Sequence, residues 1–154
     1  LADRVVVLDE RRIVESGSAA DVLRPPRNQF LPHLGGRNLI AGVARDRDVL
    51  GAGGLVVHGV GDTPLRTGDT TMALIEPAAV SVHLHRPEGS PRNVWPAVIA
   101  AVETRGDAVR LACRAEGQPL NVDLTLAAVA ELGLAPGQSV WLSVKASQVI
   151  LYPR

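Results

Sequence analysis

Hydroxyls and cations cluster in two short stretches of this chain, Ser90-Pro91-Arg92-Asn93 and Lys145-Ala146-Ser147. Hydroxyl, guanidinium and ammonium groups donate hydrogen bonds, and turn backbones add fixed N–H groups, so such stretches suit a guest that only accepts. A tetrahedral dianion is a guest of that kind. Charge-assisted hydrogen bonds contribute about 1.5 to 3 kcal/mol each, so several together give useful affinity without a basic surface. The plainer reading of Ser90 to Asn93 is a turn that opens a strand and leaves its arginine solvated, because Ser, Pro and Asn build turns for local reasons.

Other chemistry is less well supported. His83 and His85 stand two residues apart on one face of an expected strand, a spacing a metal can use, yet no third ligand of the right type lies nearby in sequence. Solvated strand histidines are the expectation. Cys113, the single cysteine, is flanked by alternating apolar residues and reads as a core thiol. Glu103, Arg105 and Asp107 make a polar hairpin tip. No catalytic residue and no metal site is expected. The sequence contains no Gly-x-x-x-x-Gly-Lys-Ser/Thr loop, so these residues have no backbone cradle for nucleotide phosphates.

The elements that must position these groups are mostly strands. Short apolar or alternating runs span 39–44, 55–60, 72–75, 80–85, 94–102, 109–113, 120–122, 140–144 and 149–151, separated by Gly, Pro and Asp. That spacing predicts small Greek-key barrels. The exception is 125–132, where Leu124, Ala127, Val129, Leu132 and Leu134 fit a short amphipathic helix stopped by Gly133 in the left-handed region. Upstream, Val5 to Leu8 and Ile13-Val14 predict a hairpin or edge pair. A helix capped by Ser18 should end before Pro25-Pro26, and a second short one is expected from Asn28 to Leu34.

An internal repeat runs through the strand-rich part. Arg37-Asn38-Leu39 aligns with Arg92-Asn93-Val94 at an offset of 55, and Ile75-Glu76-Pro77 aligns with Val144-Lys145-Ala146 at an offset of 69. Two related β lobes follow, with the extra helix after Leu124 expected to absorb the difference. Glu76 then stands where the second lobe has Lys145, and Gly35 where it has Ser90, so an anion in the first lobe meets repulsion and loses a hydroxyl donor.

Three resemblances bear on identity. Leu1-Ala2-Asp3-Arg4-Val5-Val6-Val7-Leu8-Asp9, followed by Arg12 to Gly17, resembles the segment just after the switch histidine in transporter ATPases, with Arg11 where that family usually has Gly. Pro26 to Asn38 resembles the connector that leaves the nucleotide-binding domain. Ser90 to Asn93 with Lys145-Ala146-Ser147, and Glu131 to Gly137 between them, is similar to the paired motif of Mop-type molybdate-binding domains. Together they point to the carboxyl-terminal part of the ATP-binding subunit of molybdate ABC importers. The expected fold class is mainly β: a double-lobed OB-like Mop/TOBE barrel module over 35–154, with lobes of about 35–86 and 87–154, preceded by a short α/β tail of an ABC ATPase domain over 1–34.

The resemblance implies a ligand set of Ser90, Arg92, Asn93, Lys145, Ala146 and Ser147 for molybdate or tungstate, with hydroxyls from the serines, charge from Arg92 and Lys145, and N–H groups from the turns around Asn93 and Ala146. Pro91, where the family commonly has Ala, removes one such N–H. It also implies a homodimer, contact with permease subunits through a parent ATPase that alone uses ATP and magnesium, and a place at the cytoplasmic face of the cell membrane. The chain opens at Leu1 in mid-element without an initiator Met, as expected of a piece of a longer protein.

Bulk composition is compatible with this and sets bounds. At 154 residues the chain can bury a core, and 46% hydrophobic with 3% aromatic residues means a core of small branched side chains. Sixteen basic residues match sixteen acidic ones, so no long-range field draws it to nucleic acid. A nucleic-acid-binding barrel would need a basic groove with stacking aromatics, and only Phe30, Trp95, Trp141 and Tyr152 are available. A module that dimerises ATPase subunits and binds no ligand is the other alternative. A lone cysteine, with no signal peptide and no apolar run long enough to span a bilayer, fits a reducing cytoplasmic setting.

Overall fold

A computed structural model describes residues 4–9, 12–18 and 36–154. The chain divides into two compact units, 1–37 and 38–154. In the first, the apolar runs form the expected antiparallel pair, β1 (Arg4–Asp9) with β2 (Arg12–Ser18), with a register shift between Val7 and Leu8. Ser18, the expected helix cap, is the last residue of β2, and the helices expected over 19–24 and 28–34, and Gly35, lie outside the described residues.

The second unit is mainly β, as expected, and is built twice on one plan. Alternation of apolar and polar residues makes each strand amphipathic, so one face of each sheet packs inward. The first lobe contributes β3 (Asn38–Asp46), β4 (Val49–Ala52), β5 (Leu55–His58) and β6 (Thr70–Ile75). A 3-10 turn at Pro77–Ala79 leads to β7 (Ser81–His83). The second lobe contributes β8 (Asn93–Arg105), β9 (Ala108–Ala115), β10 (Gln118–Thr125) and β11 (Ser139–Val144), then a 3-10 turn at Ala146–Gln148 and β12 (Val149–Pro153). Helix α1 (Leu126–Leu132) is capped by the Thr125 hydroxyl, which accepts from the Ala128 N–H. It ends where Gly133 turns left-handed at φ 64°.

The halves exchange their final strands. One five-stranded sheet runs β10-β9-β8-β11-β7 and the other β12-β6-β3-β4-β5, so β7 completes the second lobe's sheet and β12 completes the first's. The register repeats as well: Asn38 pairs with Ile75 as Asn93 pairs with Val144. The helix does not account for most of the difference in offset. β8 has 13 residues against 9 in β3, β9 has 8 against 4 in β4, and β10 has 8 against 4 in β5, so the surplus lies mainly in longer strands. Arg110 braces that extension with a two-pronged ion pair to Asp123 at 2.8 and 3.0 Å. β4 was not foreseen, because Gly51 and Ala52 dilute its pattern.

The core between the sheets is aliphatic, with Ile40, Leu50, Leu55, Ile75, Ile99, Leu111, Leu120 and Leu142 fully buried and Trp95, among the described residues, the only aromatic one in it. Two buried asparagines cross from lobe to lobe. Asn38, at the start of β3, donates to the Asn121 carbonyl at 2.8 Å and accepts from the Asn121 N–H at 2.6 Å. Asn93, at the start of β8, donates to the His58 carbonyl at 2.8 Å and accepts from the His58 N–H at 2.7 Å. Each amide pairs with the backbone N–H and C=O of one residue in the last hairpin strand of the other lobe. Trp95 adds a bond from its indole N–H to the Val56 carbonyl at 2.9 Å. Among the described residues no helix is long and apolar enough to cross a membrane.

Burying a peptide N–H and C=O without partners costs about 1 to 3 kcal/mol per group. Asn38→Ala should therefore destabilise the protein by about 2 kcal/mol or more, seen as a lowered urea midpoint at unchanged slope; a midpoint equal to that of the unmodified chain would contradict the clamp's importance.

Candidate functional site

The two donor-rich stretches meet at one end of the second lobe's sheet. β8 begins at Asn93 and β11 ends at Val144, and these two residues are the last pair of the ladder between them. Arg92 and Lys145 are the next residue on either side. Asn93 and Val144 face inward and are buried, so strand alternation turns Arg92 and Lys145 outward, where both are exposed. Ser90 and Ser147 are also exposed, and Ala146 is half-buried.

The Lys145 side is shaped by the second 3-10 turn, closed by the Gln148 N–H on the Lys145 carbonyl at 2.9 Å. This turn is also the crossover by which the chain leaves one sheet for the other. On the Arg92 side, Gly89 sits at φ 106°, a conformation that side chains other than glycine rarely adopt, and the chain then passes Ser90 and Pro91 into the strand. Asn93 differs from the expectation of a ligand in one respect. Its amide accepts from the His58 N–H and donates to the His58 carbonyl, and the residue is buried, so its side chain is turned away from a guest and its main chain is what can face one.

The first lobe reproduces this geometry with different chemistry. Glu76 precedes its 3-10 turn at φ −68°, ψ 135°, against −67° and 137° for Lys145. The Ala79 N–H closes that turn on the Glu76 carbonyl at 2.9 Å, as Gln148 does on Lys145. Where the second lobe has Lys145, Ala146 and Ser147, the first has a carboxylate, Pro77 without an N–H, and Ala78 without a hydroxyl. Only the second lobe's turn carries a donor set.

Comparison with known proteins gives the same outline. Residues 89–151 match the TOBE domain family. The chain is 40% identical over 159 residues to the molybdenum import ATP-binding protein ModC of Mycobacterium tuberculosis, covering 99% of this chain and 42% of that protein. It is 30% identical over 154 residues to the molybdate/tungstate import ATP-binding protein WtpC of Pyrococcus horikoshii, with 99% of this chain and 43% of the relative covered. The chain thus spans about two fifths of the length of the curated relatives it matches. Among solved structures it is similar to the cytoplasmic molybdate-binding protein ModG with molybdate bound, at a TM-score of 0.66 and 25% identity over 76% of this chain and 96% of that one.

The remaining candidates are occupied elsewhere. β7 ends at His83, so His85 falls beyond the strand rather than beside it on one face. The His83 Nε2 lies 2.8 Å from the buried Ser143 hydroxyl, and among the described residues no cluster of three His, Cys, Asp or Glu side chains could hold a metal. Arg105 meets Glu103 at 3.4 Å on the hairpin tip, both exposed. Trp95 is buried, and the Arg86 guanidinium covers the Trp141 ring at 5.1 Å, so both tryptophans are engaged within the fold.

Cys113 faces the core, and burial pushes its thiol up to about 11. Iodoacetamide at pH 8 should therefore label the folded protein at least about a hundredfold more slowly than the urea-unfolded chain, because the thiolate is the reactive form. Comparable labelling rates, read by mass spectrometry, would place the thiol at the surface.

Proposed function

We propose, from the match of residues 89–151 to the TOBE domain family and the 40% identity of almost the whole chain to a molybdenum import ATP-binding protein, that this chain is the oxyanion-sensing, carboxyl-terminal module of a molybdate importer's ATP-binding subunit. The guest is a molybdate or tungstate dianion held at the opening of β8 and the turn after β11. Arg92 and Lys145 supply charge, Ser90 and Ser147 hydroxyls, and the backbones at Asn93 and Ala146 fixed N–H groups.

The observation that carries this reading is the register: two outward cations flank the last pair of one ladder, beside a turn that in the other lobe has lost every donor side chain. A dianion placed there neutralises two like charges that otherwise repel. The chain has no net charge to attract such a guest from a distance, so capture depends on this local pair.

The site lies open on the surface, which suits closure by a second copy. A homodimer that encloses the anion gives it different affinities for two arrangements of the subunits, and only such a difference lets a ligand bias transport. In that setting the parent subunit binds ATP and magnesium through segments that these 154 residues do not include, and contacts the permease at the cytoplasmic face of the membrane. The module itself performs no hydrolysis.

Calorimetric titration with sodium molybdate tests the site. Arg92→Ala and Lys145→Ala should each weaken binding at least tenfold, about 1.4 kcal/mol, with an unchanged circular dichroism spectrum because both side chains are exposed. Glu76→Lys should not weaken it. No heat from the unmodified chain at millimolar molybdate would leave a dimerisation module without a ligand.

A further inference from the structure

Asn93 stands next to Arg92 in the donor-rich stretch, yet its amide is turned away from any guest and into the opposite lobe. Its two bonds to the His58 peptide, at 2.7 and 2.8 Å, end on β5, a four-residue strand at the edge of the other sheet. The indole bond from Trp95 to Val56 ends on the same strand. The opening of β8 is therefore pinned from outside its own sheet, at the residue that follows Arg92 and beyond which the ladder to β11 stops.

We infer that Asn93 is the positioning residue of this site: its grip on the His58 peptide sets where β8 begins, and so holds the Arg92 backbone opposite Lys145. The inference rests on the oxyanion reading proposed above. Lys145 is fixed locally, by the turn bond from Gln148, whereas Arg92 is approached through Gly89, Ser90 and Pro91. Releasing the clamp frees one wall of the site and leaves the other in place. The dianion then has to order the Arg92 segment as it binds, and affinity falls by that entropy.

Linkage makes the effect reciprocal. If the clamp favours the anion, the anion must favour the clamp by the same factor. Molybdate bound at Arg92 and Lys145 should therefore slow opening of the His58 N–H bond, although His58 belongs to the other lobe. The repeat supplies a control within the same molecule. Asn38 makes the same two bonds to the Asn121 peptide, at 2.6 and 2.8 Å, and is equally buried, but the turn beside its ladder carries Glu76 in place of Lys145. Loss of either clamp should cost comparable stability. Only loss of the Asn93 clamp should cost affinity.

The test is molybdate titration of the full chain, with Asn93→Ala compared with Asn38→Ala at a temperature where urea curves show both folded. Asn93→Ala should weaken binding about tenfold or more and Asn38→Ala by less than about threefold. Equal losses in the two variants, or none in either, overturn the inference and reduce Asn93 to a structural residue. Should Asn93→Ala fail to fold, amide hydrogen exchange of the unmodified protein decides. Saturating molybdate should slow exchange at His58 markedly more than at Asn121, and equal slowing at both overturns the inference. If the unmodified chain binds no molybdate at all, it is the oxyanion reading that has failed.

Discussion

A primary amide buried in an aliphatic core must have both its donor and its acceptor satisfied, and the two that this fold buries at its lobe junction are satisfied by peptide groups of the opposite lobe. Asn38 needs Asn121 and Asn93 needs His58, so neither lobe can slide against the other without breaking four hydrogen bonds. Aliphatic packing alone is not directional and would tolerate such a slide far better. The exchange of β7 and β12 between the sheets depends on the same alignment, since each crossover turn lies directly beyond the ladder pair that its asparagine begins.

The candidate site is a consequence of that arrangement. Its two halves come from strands that meet only because β8 opens where the clamp places it, and its cations are outward because Asn93 and Val144 are inward. The two lobes show how such a frame can be kept while its chemistry changes. The turns at 77–79 and 146–148 have the same backbone dihedrals before them and the same closing bond, yet one is preceded by a carboxylate and the other by an ammonium. A chain with no net charge thereby concentrates exposed donor groups beside one turn, which under the proposed function is where the anion is caught.

Much of the fold was legible in the sequence because its rules are local. Strand runs announced themselves by alternation, α1 by its 3.6-residue pattern with Gly133 after it, and the duplication by the matched stretches around Asn38 and Asn93 and around Glu76 and Lys145. Placement of Arg92 and Lys145 near one another followed from the family motif rather than from any rule of spacing, and the ladder supplies the physical reason. What escaped were non-local facts. Strand exchange leaves no mark on the strands that are exchanged. β4 was lost to Gly51 and Ala52. The surplus length of the second lobe was assigned to its helix because a helix is conspicuous, whereas four added residues extend a strand without changing its pattern. The clamp made by the Asn93 side chain is non-local too: a sequence shows an amide in a motif but not which way it faces.

The central claim is that a dianion sits between the opening of β8 and the turn that follows β11, in a frame that the lobe junction holds. A crystal structure of this chain grown with tungstate tests it most directly, since tungsten's anomalous signal locates the ion without reference to the protein. The account predicts a peak within hydrogen-bonding reach of donors from both 90–93 and 145–147, whether or not a second copy completes the cage. A peak confined to other residues, or none at saturating tungstate, would contradict it.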